Sequence, residues 1–275
     1  MDAPALSATL VTYRSPPAQL RRALASLAAA LARAREAGMA GTAAVYVVDN
    51  GPPGCVEGLR AALDAWPADA GSIELVAGHG NVGYGRANNL VLPRLASDFH
   101  LVMNPDVEIE REALARGLAV LRRDPGVGLV APDARGDDGA PQFLCKRYPS
   151  VWVLFLRGFA PGMLRRRFAR RLADYEMRDV VAARAIADVP LASGCFMLMR
   201  TALFRRVGGF DPAYFLYFED YDLSLRLRRE AGIAYVPQAR IVHHGGEAAR
   251  KGPRHVAWFL RSAWRFFSTH GWKIA

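Results

Sequence analysis

An α/β protein with a mostly parallel central sheet flanked by helices is what this sequence predicts, and three observations predict it. Short, nearly continuous apolar runs alternate with longer amphipathic stretches through the N-terminal half, the pattern of strands buried on both faces by helical crossovers. The 275 residues suffice for one large domain or two small ones with a real core. Composition is that of a globular chain, 52% apolar and 23% charged, without repeats or low-complexity tracts.

The elements follow in order. "LSATLVTY" is a β-rich first strand. "SPPAQLRRALASLAAALARAREAG" opens with Ser15 and two prolines suited to a helix start, places Leu20, Leu24, Leu27 and Leu31 on one face, and stops at Gly38. "AAVYVVDN" is the second strand, "CVEGLRAALDAW" a short helix and "SIELVAG" the third strand. "GRANNLVLPRLA" reads as a helix, "FHLVMN" as a strand, "EREALARGLAVLRR" as a helix and "GVGLVAP" as a strand. Further on, "SGCFMLMR" is a small-residue turn entering a buried strand, and the strand-like "ARIV" delivers His243 and His244 to a glycine turn. The expected division is one domain over 1–247, with a first half at 1–135 and a second at 136–247 that contains the basic amphipathic segment 145–171, followed by a basic aromatic helix at 248–275.

Ligands of such sheets bind beyond the carboxyl ends of the strands, and polar residues gather at those ends. Strand one finishes in Thr12, Tyr13 and Arg14, strand two in Asp49, Asn50 and Gly51, strand three runs into "GHGNVGYGRANN", and strand four finishes in Asn104, Pro105 and Asp106. Each has a second reading taken singly: Asp49-Asn50-Gly51 also makes a turn, the glycines also shape a loop, and Asp106 also caps a helix. Four coincidences at four strand ends point to one shared cause.

Cys55, Cys145 and Cys195 are odd in number and in no C-x-x-C pairing, which speaks against a disulfide framework or a thiolate zinc site and fits a reducing cytosol. The start "MDAPALSATLVTY" lacks the basic-then-apolar pattern of a signal peptide. The net charge of +10 is unevenly placed: residues 145–171 carry eight Lys or Arg and residues 250–275 carry six, with no acid in either, leaving 22 basic against 26 acidic residues elsewhere. Both segments mix arginines with bulky apolar residues, among them Trp152, Phe155 and Phe159 in one and Trp258, Trp264 and Phe267 in the other. That mixture suits a helix lying in the headgroups of an anionic membrane, and equally a core helix with a solvated basic face. "VWVLFL" is too short to span a bilayer, and no recognition motif accompanies the charge, so nucleic acid is not the expected partner.

"AYFLYFEDYDLSLRLRR" places three acids behind a run of aromatics. If a helix begins near Glu219, then Asp220, Leu223 and Leu227 share its apolar face, while Glu219 and Asp222 share a side with Arg226 and pair with it. An acid on a buried face is costly unless paired, metal-bound or needed for chemistry. At a helix N-terminus the dipole favours its ionised form while burial raises its pKa, and those opposing shifts suit a general base.

Taken in order, "VTYR", "VVDNG", "GNVGYGRANN", "NPDV", "SGCFMLMR", "GGFDPAYFLYFEDYDLSLRL" and "IVHHGG" resemble the bacterial family 2 glycosyltransferases of GT-A fold, particularly the rhamnosyltransferase-like branch, over residues 6–247. The resemblance implies a nucleotide-sugar donor, a dTDP-sugar or UDP-sugar, lying over the strand ends. Asp49 would accept the N3 hydrogen of a uracil or thymine flanked by Thr12 and Tyr13, and Arg14, Asn81, Gly83, Arg86 and Asn88 would line the same pocket. In place of the family's Asp-x-Asp stands Asn104-Pro105-Asp106, so Asp106 is the expected carboxylate ligand of Mg²⁺ or Mn²⁺, joined by His243; oxygens with one imidazole suit those ions. Arg250 and Lys251 would close over the phosphates.

By the same likeness Asp220 is the base that activates an acceptor hydroxyl, with inversion at the anomeric carbon. Ser193, Gly194, Asp211, Tyr217 and Glu219 would border the acceptor, with Tyr214, Phe215, Tyr217 and Phe218 as an apolar wall. No Q-x-x-R-W signature follows the acidic helix, so one sugar per encounter is expected. The implied reaction is transfer of a deoxyhexose, L-rhamnose from dTDP-rhamnose, to a glycan or polyprenyl-linked acceptor at the cytoplasmic membrane face. UDP-sugar and UDP-galactofuranose donors, or a nonenzymatic nucleotide-sugar or membrane-binding protein, are the alternatives. A nucleotidyltransferase would carry a glycine- and lysine-rich loop after strand one, where this chain has "TYRSPPAQ".

Overall fold

The computed structural model describes residues 3–52, 54, 56–245 and 252–275. Its first half is the predicted alternation: β1 (Leu6–Thr12), α1 (Pro17–Glu36), β2 (Ala43–Asp49), α2 (Val56–Leu63), β3 (Ser72–Val76), α3 (Tyr84–Asn89), β4 (Phe99–Met103), a short β5 (Val107–Ile109), α4 (Ala113–Arg123) and β6 (Val127–Arg135). In α1 the prolines enter at the N-terminus and Leu20, Leu24, Leu27 and Leu31 are buried, while Gly38 turns the chain away at φ +64°. The helix expected over "GRANNLVLPRLA" breaks after α3 into a single 3₁₀ turn, Leu92–Arg94, because Pro93 has no N–H to continue the ladder.

The second half adds β7 (Pro141–Gln142), β8 (Cys145–Lys146), α5 (Val151–Gly158), α6 (Gly162–Arg167), α7 (Ala169–Tyr175), α8 (Arg178–Ala183), β9 (Ala187–Asp188), β10 (Leu191–Ala192), β11 (Phe196–Arg200), α9 (Thr201–Arg206), α10 (Glu219–Leu227), β12 (Gly232–His243) and α11 (Pro253–His270). The main sheet runs β3-β2-β1-β4-β11-β6-β12-β5. It is parallel from β3 to β4 and between β6 and β12, but β11 is antiparallel to both its neighbours and β5 to β12. The reversal of β11 brings its N-terminal end, Ser193–Phe196, to the same edge as the carboxyl end of β4, with Phe196 opposite Met103.

Side-chain alternation divides the core. Leu10, Val47, Leu101 and Met103 pack under α1, α2 and α4 on one face, and Val11, Val48 and Val102 pack with Leu223 and Leu227 of α10 on the other. A third cluster joins Leu154 of α5, Tyr214, Phe218 and Phe266 and Phe267 of α11. Among the described residues no helix is long and apolar enough to cross a membrane.

Candidate active site

Three strand ends set the floor of the site. Thr12 and Asp49 lie opposite each other at the ends of β1 and β2 and both are buried. The Thr12 hydroxyl reaches Asp49 Oδ1 at 3.4 Å, and the Gly51 amide donates to the same oxygen at 2.8 Å. Tyr13 is half exposed, with the Arg14 guanidinium 5.7 Å from its ring centre. Asn50 pins the glycine loop from below: its Nδ2 donates to the Gly83 carbonyl at 3.2 Å, and its Oδ1 accepts from the Val82 amide at 3.2 Å. Asn81 turns that loop by accepting from the Gly83 amide at 3.1 Å. Gly83 sits at φ +89°, and a Cβ there would run into the Phe215 carbonyl, so only glycine lets the loop touch the 211–218 segment.

The carboxyl end of β4 carries the second group. The Asn104 amide donates to the Cys195 carbonyl at 2.9 Å, which ties this end of β4 to the entry of β11. Asp106 follows, and its Oδ1 is buried without a hydrogen-bond partner, an arrangement that costs free energy unless something fills it. His243, at the end of β12, stands with Nε2 3.7 Å from that oxygen. Its Nδ1 lies 2.6 Å from Gln142 Oε1, so the proton belongs on Nδ1 and the Nε2 lone pair faces Asp106. Burial lowers the His243 pKa, more than the Asp106 carboxylate raises it, and His244 lowers it further, which favours the neutral, ligating imidazole. An unpartnered carboxylate oxygen facing an imidazole across 3.7 Å fits a divalent cation with bonds of about 2.1 Å. His244 is otherwise committed, to Glu108 at 2.8 Å and to Asp137. Among the described residues no third His, Cys, Asp or Glu joins such a cluster.

The acidic helix supplies the third group. Tyr217 and Phe218 both adopt left-handed backbone, φ +70° and +64°, a strained pair for bulky side chains that turns the chain sharply into α10. Asp220 Oδ2 accepts from the Gly194 amide and Oδ1 from the Tyr221 amide, each at 2.9 Å. Burial raises the Asp220 pKa, against the lowering by those amides and by Arg157. Gly194 is wedged between Asp220 and Tyr84, whose hydroxyl donates to the Gly194 carbonyl at 2.7 Å. Cys195 lies between the second and third groups: burial pushes its thiol up to about 12, Ser193 opposes this, and the charges of Asp106 and Asp220 both add to it. The strand end that leads into Asp106 and the carboxylate of Asp220, 114 positions along the chain, meet adjacent residues of one segment: the Asn104 amide bonds the Cys195 carbonyl, and the Gly194 amide bonds Asp220.

Several expected residues do other work. Glu219 makes no ion pair with Arg226; it is buried with Oε2 unpartnered, and burial, then Asp220, push it up to about 8. The acid held by Arg226 is Asp222, at 2.8 Å, which also meets His270 at 2.8 Å. Asp220 is half-buried on the side of Leu223 and Leu227, as expected, but Glu219 and Asp222 are buried as well: the turn at 217–218 sets α10 so that Glu219 lies against Gly85. Asp211 is spent on the Ala213 amide and on Arg265 of α11, both at 2.8–2.9 Å for their shortest contacts. Arg86 donates to the Pro212 carbonyl at 2.5 Å, and Asn88 is fully buried, donating to the Tyr84 carbonyl at 3.0 Å. The aromatics expected as a free wall pack on α11 instead, Phe215 on Trp258 at 4.8 Å and Phe218 on Phe259 and Phe266 at 5.3 Å, and Tyr217 bonds His255 at 2.9 Å. Arg250 and Lys251 lie outside the described residues. Gln142 was not anticipated, and nothing in its local sequence marks it; only the pairing of β7 with β6 brings it to His243.

The profile of the family described as "Glycosyltransferase like family 2" matches residues 4–264. The chain belongs to that family. It is 29% identical over 282 aligned positions to the N-acetylglucosaminyl-diphospho-decaprenol L-rhamnosyltransferase of Mycobacterium tuberculosis, covering 97% of this chain and 86% of that one. Rhamnosyltransferase WbbL of Escherichia coli K12 is 40% identical over 29% of this chain and 31% of its own length. Among solved structures, GalNAc-T7 with UDP, GalNAc and Mn²⁺ superposes with TM-score 0.64 at 14% identity, over 91% of this chain and 45% of that one. The mannosyltransferase PcManGT of Pyrobaculum calidifontis with GDP-Man and Mn²⁺ gives 0.58 at 17%, over 96% and 65%. This chain thus spans less than half of the first of these structures and about two thirds of the second. The fold is GT-A, and the glycosyltransferase has its polar rim at the carboxyl edge of the sheet.

Proposed function

We propose that this glycosyltransferase moves L-rhamnose from dTDP-rhamnose to a lipid-linked glycan with inversion, using a divalent ion held by Asp106 and His243 and Asp220 as base. What supports the reading is the unpartnered Asp106 Oδ1 facing His243 Nε2 at 3.7 Å, on a strand end bonded through Asn104 to Cys195, next to the Gly194 amide that Asp220 accepts. The M. tuberculosis relative is named for L-rhamnosyl transfer to a decaprenol diphosphate-linked sugar, which favours that donor sugar and acceptor class over a UDP-sugar or galactofuranose donor.

Each residue has a physical task. Asp49 offers a carboxylate oxygen to the base N3–H, held in place by Thr12 and the Gly51 amide. The Asn50-pinned loop at 81–83 keeps the sugar side of the donor against the 211–218 segment. Asp106 and His243 would hold Mg²⁺ or Mn²⁺, which when bound neutralises the departing diphosphate. Asp220, fixed by two amides, takes the proton of the acceptor hydroxyl as its oxygen bonds to the anomeric carbon and the bond from that carbon to the diphosphate breaks. Ser193 and Gly194 let the acceptor approach, because a larger side chain at 194 would meet Asp220 and Tyr84. Cytoplasmic action follows from the nucleotide-sugar donor.

The test is incubation with a synthetic N-acetylglucosaminyl-diphospho-polyprenol and a panel of dTDP-, UDP- and GDP-sugars, with and without Mn²⁺, followed by mass and anomeric assignment of the product. Metal-dependent transfer of rhamnose with inversion is expected. Transfer from a UDP-sugar in preference, or retention, overturns the reading.

A further inference from the structure

Residues 145–171 and 252–275, far apart in the chain, meet in the fold. The Val151 amide donates to the Lys273 carbonyl at 2.8 Å and the Trp152 amide to Ile274 at 3.0 Å, so the tail after α11 lies along the start of α5. Aromatic contacts carry the connection outward: Trp264 meets Trp272 at 5.0 Å, and Trp152 stacks on Phe155 at 5.4 Å.

Helix α11 has two faces. Inward, His255, Trp258, Phe259, Phe266 and His270 hold the 215–222 segment that leads into Asp220. Outward, Val256, Leu260 and Trp264 recur every fourth position and are exposed, Trp264 by 67%. Trp272 and Ile274 extend that stripe toward α5, where Phe155, Phe159 and Met163, the last 84% exposed, stand out in turn. A soluble protein seldom leaves so many large apolar side chains together in water.

Charge selects the occupant. Arg165, Arg166, Arg167, Arg170 and Arg171 are exposed on α6 and α7 beside Met163, and none has an acidic partner among the described residues. The nearby Asp174 and Asp179 are taken by Arg147. A second copy of the chain would bring the same unpaired arginines against these, which disfavours a symmetric pair. We infer that α5, α6, α11 and the tail form a single docking face for an anionic lipid bilayer, with Leu260, Trp264 and Met163 entering the headgroup layer and the arginines meeting lipid phosphates. One layer of side chains, Phe266 against Phe218 and Tyr221, then separates the bilayer from the first turn of α10, which carries Asp220. The inference goes beyond the transfer reaction and does not depend on the donor or the metal.

The test is co-sedimentation of the full chain, without donor or acceptor, with vesicles of phosphatidylcholine alone and of phosphatidylcholine mixed equally with phosphatidylglycerol. Binding only to the mixed vesicles, weakened by high salt, is expected. The triple variant Arg165→Gln, Arg166→Gln, Arg167→Gln alters only exposed side chains without an acidic partner, Arg167 giving up just its contact with the Phe168 ring at 5.7 Å, and should fold as the parent does; its partitioning should fall on the order of 100-fold. Leu260→Ser with Trp264→Ser should lose at least about tenfold, with thermal midpoints recorded for both. Absence of binding, equal binding to both vesicle types, or parental binding by the folded arginine variant overturns the inference. So does a dimer in sedimentation velocity that the Leu260→Ser, Trp264→Ser variant dissolves, which would assign the face to self-association.

Discussion

Replacing Asp220 by Asn separates chemistry from binding. Both carboxylate oxygens accept a backbone N–H, from Gly194 and Tyr221, each at 2.9 Å. An Asn retains one of these and turns an NH₂ toward the other, which costs at most about 1–3 kcal/mol of stability. For a chain of this size that is a fall of roughly 2–10 °C in thermal midpoint, leaving the protein folded under assay conditions. A positioned base contributes about 10²–10⁴-fold, or roughly 3–5 kcal/mol of barrier. Because Asp49, Asp106 and His243 are untouched, donor affinity should stay within about threefold while turnover falls at least about 100-fold. Initial rates at saturating donor and acceptor, with calorimetric titration of the nucleotide, read the two separately. Turnover within a few-fold of the parent would remove Asp220 as the base, and an equal loss in both quantities would make its role structural.

Three further outcomes follow from particular contacts. Gln142→Ala removes the partner of His243 Nδ1 and should weaken Mn²⁺ binding by about 10–100-fold in a calorimetric titration; unchanged affinity would separate His243 from the metal. Glu219, pushed from its ordinary 4.5 to about 8, holds its proton more tightly folded than unfolded, so its contribution to stability is complete below the unfolded value and is lost as pH rises through about 8. Glu219→Gln abolishes that loss, and its midpoint should gain on the parent's between about pH 5 and pH 9; a pH-independent difference would show Glu219 ionised in the fold. Gly83→Ala drives a Cβ into the Phe215 carbonyl at φ +89° and should cost about 1–3 kcal/mol in chemical denaturation, whereas a neutral effect would mean that the loop does not bear on the 211–218 segment.

Much of the fold was legible because its rules are local. The leucines of α1, the apolar runs of β1, β2 and β4 and the stop at Gly38 follow from periodicity and turn chemistry. The rim was legible because strand ends in a parallel sheet share an edge, which is why Thr12, Asp49 and Asp106 could be grouped before their positions were known. What sequence could not supply was direction and roll. The reversal of β11 between β4 and β6 is a long-range pairing, and it is this reversal that carries Ser193–Cys195 to the end of β4 that leads into Asp106. The roll of α10 depends on left-handed backbone at Tyr217 and Phe218, which no local propensity announces for Tyr or Phe, so Glu219 is buried without Arg226 as its partner, while Asp220 keeps the partial burial expected of it. Local sequence suggests Asp211 and Tyr217 at the acceptor and Tyr214, Phe215, Tyr217 and Phe218 as an apolar wall, because α11, whose residues contact them, lies some 40 positions downstream.

The proposed metal site admits the most direct measurement: anomalous diffraction at the manganese edge from crystals of the protein grown with Mn²⁺ and dTDP. One Mn²⁺ bonded to an Asp106 carboxylate oxygen and His243 Nε2, with the diphosphate on its open side and Asp220 facing the space beyond, is the predicted result. Manganese bound elsewhere, or a diphosphate seated away from Asp106, would contradict it.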